Sequence, residues 1–307
     1  MATNLSISLV FLSCVVLLLH SGNGSRDCGA AGQTMLCNRL INRSNWRKQL
    51  NSDDSDDSLS RYAVGYRTYS KEEGYYGFRA TMDVYALSLS PGQLGSYSLI
   101  WIETYDSEDN VVDAIRIGSS NVSIGCPGFQ LEKGAPAHPN DPITRVSHPN
   151  GDKQYINLKV LKDNTSGDWL VYYGFNKDPQ LIGHFPKSLF TSLADKATEI
   201  WFGGMAVTNA TFQPTPSVTP MGSGYMPADN TNMAASMSNL ELIDKQGRPW
   251  PADENLHDFT NIEDLYTVSP VASSKFFYGG PSTSSASTSC THAIYSFLLV
   301  LLTYYLI

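Results

Sequence analysis

The chain has 307 residues, 42% of them hydrophobic and 16% charged, and a formal net charge of −8. That length and hydrophobic content exclude a disordered chain and supply one large domain with a substantial core. An acidic balance without a basic run argues against nucleic acid as a partner.

In chain order, residues 1–24 read as a secretory signal peptide. The apolar run Ile7–Leu19 is too short to cross a bilayer, and Gly22-Asn23-Gly24 offers a small-x-small cleavage site. Residues 25–60 read as a polar N-terminal segment with little periodicity. It holds Cys28, Cys37 and an acidic cluster, Asp53-Asp54 and Asp56-Asp57, set among serines. That cluster reads as a solvated linker, because it lacks the ligand spacing and closing Glu of an EF-hand.

Strands follow. Tyr62, Val64 and Tyr66 begin one, and Tyr75–Leu89 gives the next, with Ala80, Met82 and Val84 on one face. Tyr97–Thr104 and Val111–Ile117 flank the polar turn 106–110. Residues 118–150, rich in Gly, Pro and Asn, read as loop.

The stretch 154–207 is the best patterned. Ile156, Leu158 and Val160, then Trp169, Val171 and Tyr173, recur at every second residue. That alternation predicts a hairpin closed by the turn residues 163–168. Ser188–Ala197 suggests a short helix. Thr198–Val207 is a further strand, in which the adjacent Gly203 and Gly204 imply a bulge or a close approach by another chain or ligand. Ser236–Ile243 and Phe259–Val268 return to the sheets. Many short strands separated by turn signals predict an all-β antiparallel sandwich over 61–280, with one short helix.

Residues 281–307 read as a glycolipid (GPI) anchor signal. Small polar residues from Ser282 to Ser289, with Ser284 or Ser285 as attachment site, precede the apolar tail Ile294–Ile307. A transmembrane helix is the competing reading, disfavoured by the shortness of the run and the absence of a following Lys or Arg. The expected location is therefore outside the plasma membrane, with the anchor as the one membrane attachment. Sequons at Asn42, Asn121, Asn164 and Asn209 fit an exported protein. Of the five cysteines, Cys14 and Cys290 leave with the two signals, and Cys28–Cys37 is the economical disulfide. Cys126 is then a buried thiol, or an alternative partner for one of the N-terminal cysteines.

Several constellations carry no chemistry. Gly222-Ser223-Gly224 lacks the strand-to-helix context of a nucleophile elbow. His138, Asp141 and His148 match no common metal spacing and read as surface polar residues. No cofactor motif is present.

The strings GDWLVYYG (167–174), LIGHFPKSLFTSLADKAT (181–198), WFGG (201–204) and MGSG (221–224) closely resemble the neprosin domain of plant glutamic endopeptidases. The resemblance extends from about Arg61 to Val268. It implies an antiparallel β-sandwich with a cleft across one sheet. It also implies a peptidase that cuts next to proline at acid pH, with two glutamates facing one water, one as base and one as acid.

Against the family's I-E-A-G-W strand stands Val112-Asp113-Ala114-Ile115-Arg116, which puts Asp113 at the first glutamate. Against W-G-G-E-V stands Phe202-Gly203-Gly204-Met205-Ala206, which puts Met205 at the second. Aspartate is shorter by one methylene, and methionine cannot exchange a proton. Glu199 lies six residues before Met205 on one strand, roughly 20 Å away. By the resemblance, Cys126 has lost its partner, the activation peptide is largely absent, and Tyr225 replaces a histidine.

The expectation is a neprosin-like domain impaired or inactive as a peptidase and acting in binding or cell-wall association, its partner a proline-rich peptide or a cell-wall glycan. Two alternatives stand beside it. One is an active divergent endopeptidase with Asp83, Glu103 or Glu241 as second acid near Asp113. The other is a lectin-like module binding glycan through cleft aromatics such as Tyr172 and Trp201.

Overall fold

The structure is a computed structural model. It describes residues 33–41, 59–70, 72–108, 110–122, 126–211, 218–227, 232–261 and 265–281, and within 33–41 only the side chain of Met35. In chain order the strands are β1 (Gln33–Ile41), β2 (Leu59–Tyr69), β3 (Gly77–Asp83), β4 (Gln93–Tyr105), β5 (Val111–Ser120), β6 (Gln130–Leu131), β7 (Pro142–Ile143) and β8 (Tyr155–Lys162). They continue with β9 (Trp169–Phe175), β10 (Gln180–Phe185), β11 (Glu199–Asn209), β12 (Ala235–Ile243), β13 (Pro249–Pro251), β14 (His257–Thr260), β15 (Thr267–Val268) and β16 (Phe276–Gly279).

Two antiparallel sheets face each other. One has seven strands in the order β14-β2-β11-β4-β5-β1-β7. The other has nine, running β15-β16-β12-β3-β8-β9-β10-β6, with β13 beside β12. The core lies between them. Ile100, Ile102, Ile115, Ile117, Ile200 and Phe202 of the seven-stranded sheet meet Phe78, Met82, Leu158, Val160, Trp169 and Val171 of the other. Side chains alternate across a strand, so every second residue of β4, β5 and β11 points to the core and the rest to the outer face.

The hairpin expected over 154–175 is β8–β9. Leu158 pairs with Tyr173 and Val160 with Val171, and all six alternating apolar residues are buried in the core. Ala80, Met82 and Val84 share the core as expected.

Elsewhere the chain departs from its pattern. The segment expected to be polar and aperiodic contributes β1, which pairs with β5 along eight residues and sends Met35 into the core. Its string, QTMLCNRLI, does not alternate. Phe259–Val268 is no single strand. Its start, β14, joins the seven-stranded sheet, and its end, β15, joins the other.

The helix expected over Ser188–Ala197 is one 3-10 turn, Lys187–Leu189, followed by turns. The backbone N–H groups of Thr191, Ser192 and Leu193, which a helix would bond to its own carbonyls, donate instead to the carboxylate of Asp113. Gly203 and Gly204 mark close approach within an unbroken register. A Cβ on Gly203 would lie 2.2 Å from the Val64 carbonyl oxygen, and one on Gly204 would lie 2.5 Å from Met221 Sδ. The MGSG string is a turn, with Gly224 N–H donating to the Met221 carbonyl at 3.0 Å and Gly222 at φ +67°. Among the described residues, no helix is long and apolar enough to cross a membrane.

Candidate functional site

Asp113 sits on the core face of β5, in phase with Ile115 and Ile117, and is 2% exposed. Its Oδ2 accepts three backbone N–H groups, from Thr191 at 2.8 Å, Ser192 at 2.7 Å and Leu193 at 3.1 Å, while Thr191 Oγ1 donates to Oδ1 at 3.4 Å. The same loop is held from the opposite sheet. Trp169 Nε1 donates to the Leu193 carbonyl at 2.9 Å. Lys162 Nζ donates to it at 3.2 Å and to the Gly167 carbonyl at 2.6 Å. One loop thus ties a carboxylate of the seven-stranded sheet to a lysine and a tryptophan of the nine-stranded sheet.

Met205 points the other way. Ile200 and Phe202 face the core, so Glu199, Trp201 and Met205 line the outer face of β11. Asp113 pairs with Thr104, whereas Met205 pairs with Tyr97, whose partner on β5 is Ser120. The two residues therefore lie on opposite faces of the sheet, and about 23 Å apart along the strand direction. No water can touch both.

The outer face of β11, β4 and β5 carries another constellation. Glu199 and Glu103 are direct cross-strand partners, 2% and 0% exposed. One row along, Trp201, Trp101 and Arg116 stand in line across the three strands. The two indoles lie 4.5 Å apart, and the Arg116 guanidinium lies 4.3 Å over the Trp101 ring. The Tyr105 hydroxyl donates to Glu103 Oε2. Burial lowers the Arg116 pKa below its ordinary value, and the charge of Glu103 is the largest influence against that. The Trp201 indole N–H is buried with no hydrogen-bond partner among the described residues.

The other expected positions scatter. Tyr172 is on the outer face of the nine-stranded sheet, with Lys159 Nζ 4.7 Å from its ring centre, so it and Trp201 occupy opposite sides of the molecule and line no common cleft. Glu241 pairs with Arg79 at 3.5 Å, and Asp83 accepts from Ser236, so neither is beside Asp113. Asn164 is exposed in the β8–β9 turn. Asn121 Oδ1 accepts the Ser96 N–H, and Asn209 closes a turn onto Thr211. Cys126 is a free, partly buried thiol. Cys28, Asn42, Ser284 and Ser285 lie outside the described residues, as does the side chain of Cys37, so their proposed bonds and modifications do too.

The neprosin family model matches residues 101–281, more than half the chain. The chain belongs to the neprosin family. No curated protein matches it.

Set against the neprosin I-E-A-G motif, β5 admits a second register. Ile115-Arg116-Ile117-Gly118 keeps the isoleucine and the glycine, and it places Arg116 on the outer face that Met205 shares. A Cβ at Gly118 would lie 1.9 Å from the Ser98 carbonyl oxygen, so the glycine is required by close strand contact. In neither register does β5 set a glutamate opposite Met205. The sequence reading missed the Glu103–Glu199 pair. No local pattern signals it, because only the pairing of β11 with β4 brings the two residues together.

Proposed function

We propose that this neprosin-domain protein is silent as a glutamic endopeptidase and acts by binding at the plant cell surface, exported and held on the outer leaflet by a glycolipid anchor. The observation carrying this is the placement of Asp113 and Met205 on opposite faces of one sheet, with the Asp113 carboxylate committed to three backbone N–H groups. A carboxylate so held cannot activate a water. Methionine on the other face offers no proton, and Arg116 stacks on Trp101 there. The test is incubation of the purified ectodomain with proline-rich peptides from acid to neutral pH. No cleavage is expected, and any cleavage by the parent chain would overturn the reading.

One observation favours a second reading, an acid hydrolase of altered site. Glu103 and Glu199 are buried cross-strand neighbours on the face that carries Met205, and adjacent carboxyls can divide the roles of base and acid. Cleavage abolished by either Glu103→Gln or Glu199→Gln would establish it. Against it stands the Arg116 charge beside Glu103 and the Tyr105 hydroxyl bonded to it, which suit a fixed network better than a proton-sharing pair.

A further inference from the structure

At the edge where β1 and β7 close the seven-stranded sheet, a cavity of about 210 Å³ opens between the segment 136–144 and the ends of β9. Its wall is a stitched turn. Asp141 N–H donates to the His138 carbonyl at 3.1 Å, Asn140 stands at φ +71°, and Asn140 N–H donates to the Met35 carbonyl at 3.0 Å. Ile143 is buried beneath it, so the wall is anchored in the core.

The lining has two parts. Met35, Pro136, Pro142 and Phe175 give apolar surface. His138, Asp141, Tyr173 and Lys177 give polar groups of both signs. Asp141 Oδ2 accepts the His138 backbone N–H at 2.7 Å and lies 3.3 Å from His138 Nδ1, while Oδ1 has no partner among the described residues. The Tyr173 hydroxyl likewise makes no hydrogen bond among the described residues, and burial with Asp141 nearby raises its pKa to about 12, so it stays a donor at neutral pH.

These features restrict the occupant. A hydrocarbon would leave the Tyr173 hydroxyl and Asp141 Oδ1 desolvated without partners. An ion of either sign would meet both Asp141 and Lys177. A ligand with apolar C–H faces and several hydroxyls satisfies every group, because a hydroxyl donates to a carboxylate and accepts from an ammonium or a phenol. The cavity holds the equivalent of about seven waters, the size of one pyranose ring.

We propose that this cavity binds a single sugar ring, the exposed terminal residue of a glycan, with Phe175 against its C–H face and Asp141, Tyr173 and Lys177 on its hydroxyls. Among the described residues Asp141 is the one carboxylate lining the cavity, whereas glycosidic cleavage ordinarily uses a pair, so the role proposed for the site is to hold the ring. The inference gives a ligand class to the binding role proposed above. It stands on a different edge of the fold, so peptide cleavage and sugar binding fail independently.

Calorimetric titration of the whole folded chain with the methyl glycosides of glucose, galactose, mannose, xylose and arabinose tests it. At least one is expected to saturate a single site with a Kd on the order of a millimolar, the affinity that so small a ligand commands. Tyr173→Phe and Asp141→Asn are each expected to weaken it about tenfold, and Ala137→Phe to abolish it by filling the cavity. Asp141 is exposed, so its variant remains informative if a buried substitution fails to fold. No heat with any glycoside at about 50 mM, or binding indifferent to all three substitutions, would overturn the proposal.

Discussion

Asp113 and Asp141 are the same chemical group in opposite circumstances. The first is buried between two sheets and takes three backbone N–H groups onto one oxygen. The second stands half exposed on the rim of a cavity, bonded through one oxygen to a single neighbouring residue. A carboxylate whose acceptor capacity is consumed by backbone is part of the frame. One with an oxygen left over, beside an unpartnered phenol, is equipped to meet a ligand. The motif register drew attention to the first, but the hydrogen bonds give the second more freedom to act.

The comparison is sharpest in unfolding experiments. Asp113→Ala removes the acceptor of three buried donors and is expected to lower the unfolding free energy by about 3 kcal/mol or more. Asp113→Asn, keeping one carbonyl oxygen, should lose about half as much. Urea titration followed by tryptophan fluorescence reads both. Trp169→Phe takes away one donor to the Leu193 carbonyl while keeping an aromatic ring in the core, and about 1–2 kcal/mol is expected from the same titration.

Lys162 gives a smaller, pH-dependent effect. Burial, with Lys187 nearby, lowers its pKa to about 8 from the ordinary 10.5, against the pull of Asp195 and Asp168. Across that interval the unfolded chain binds more protons than the folded one, so stability rises with pH. Lys162→Met should flatten the rise between about pH 8 and 10.5 relative to the parent chain, as melting temperatures at stepped pH will read. Smallest of all, Asp141→Ala should change the unfolding free energy by less than about 1 kcal/mol, because its partner is an exposed neighbour. An equal cost for Asp113→Ala and Asp141→Ala would break the contrast.

The part of this architecture legible in the sequence is the part that is local. The alternation of Ile156, Leu158 and Val160 against Trp169, Val171 and Tyr173 needs only neighbouring residues to be read, and β8–β9 followed it. The strand β1 escaped because its string, QTMLCNRLI, lacks the alternation from which a strand is read. The helix expected after Pro186 failed for a distant reason: its donors belong to a carboxylate nearly eighty residues earlier. The Glu103–Glu199 pair and the cavity rim have the same origin. Register across strands brings the first together. The second joins a proline-rich stretch that reads as plain surface to the end of β9. The resemblance sets Met205 against the family's second glutamate through its two glycines. It could not say which face of β5 its partner occupies, because that depends on a shift of three residues within a degraded string.

The order of the seven-stranded sheet has a consequence in time. An interior strand, β11, separates β2 from β4, yet β11 ends at Asn209, 150 residues after β2 begins at Leu59. A growing chain adds that length in roughly 8–30 s. Throughout that interval β2 and the edge of β4 have no neighbour to accept their backbone hydrogen bonds, and such edges recruit other chains. The gap between β2 and β4 closes late, when the strand bearing Glu199, Trp201 and Met205 enters it, and β14 then covers the far edge of β2. Any shortened product ending before Glu199 would leave β4 with an open edge and β2 with no partner in its sheet, and its solubility would report how the growing chain is kept from pairing with its neighbours.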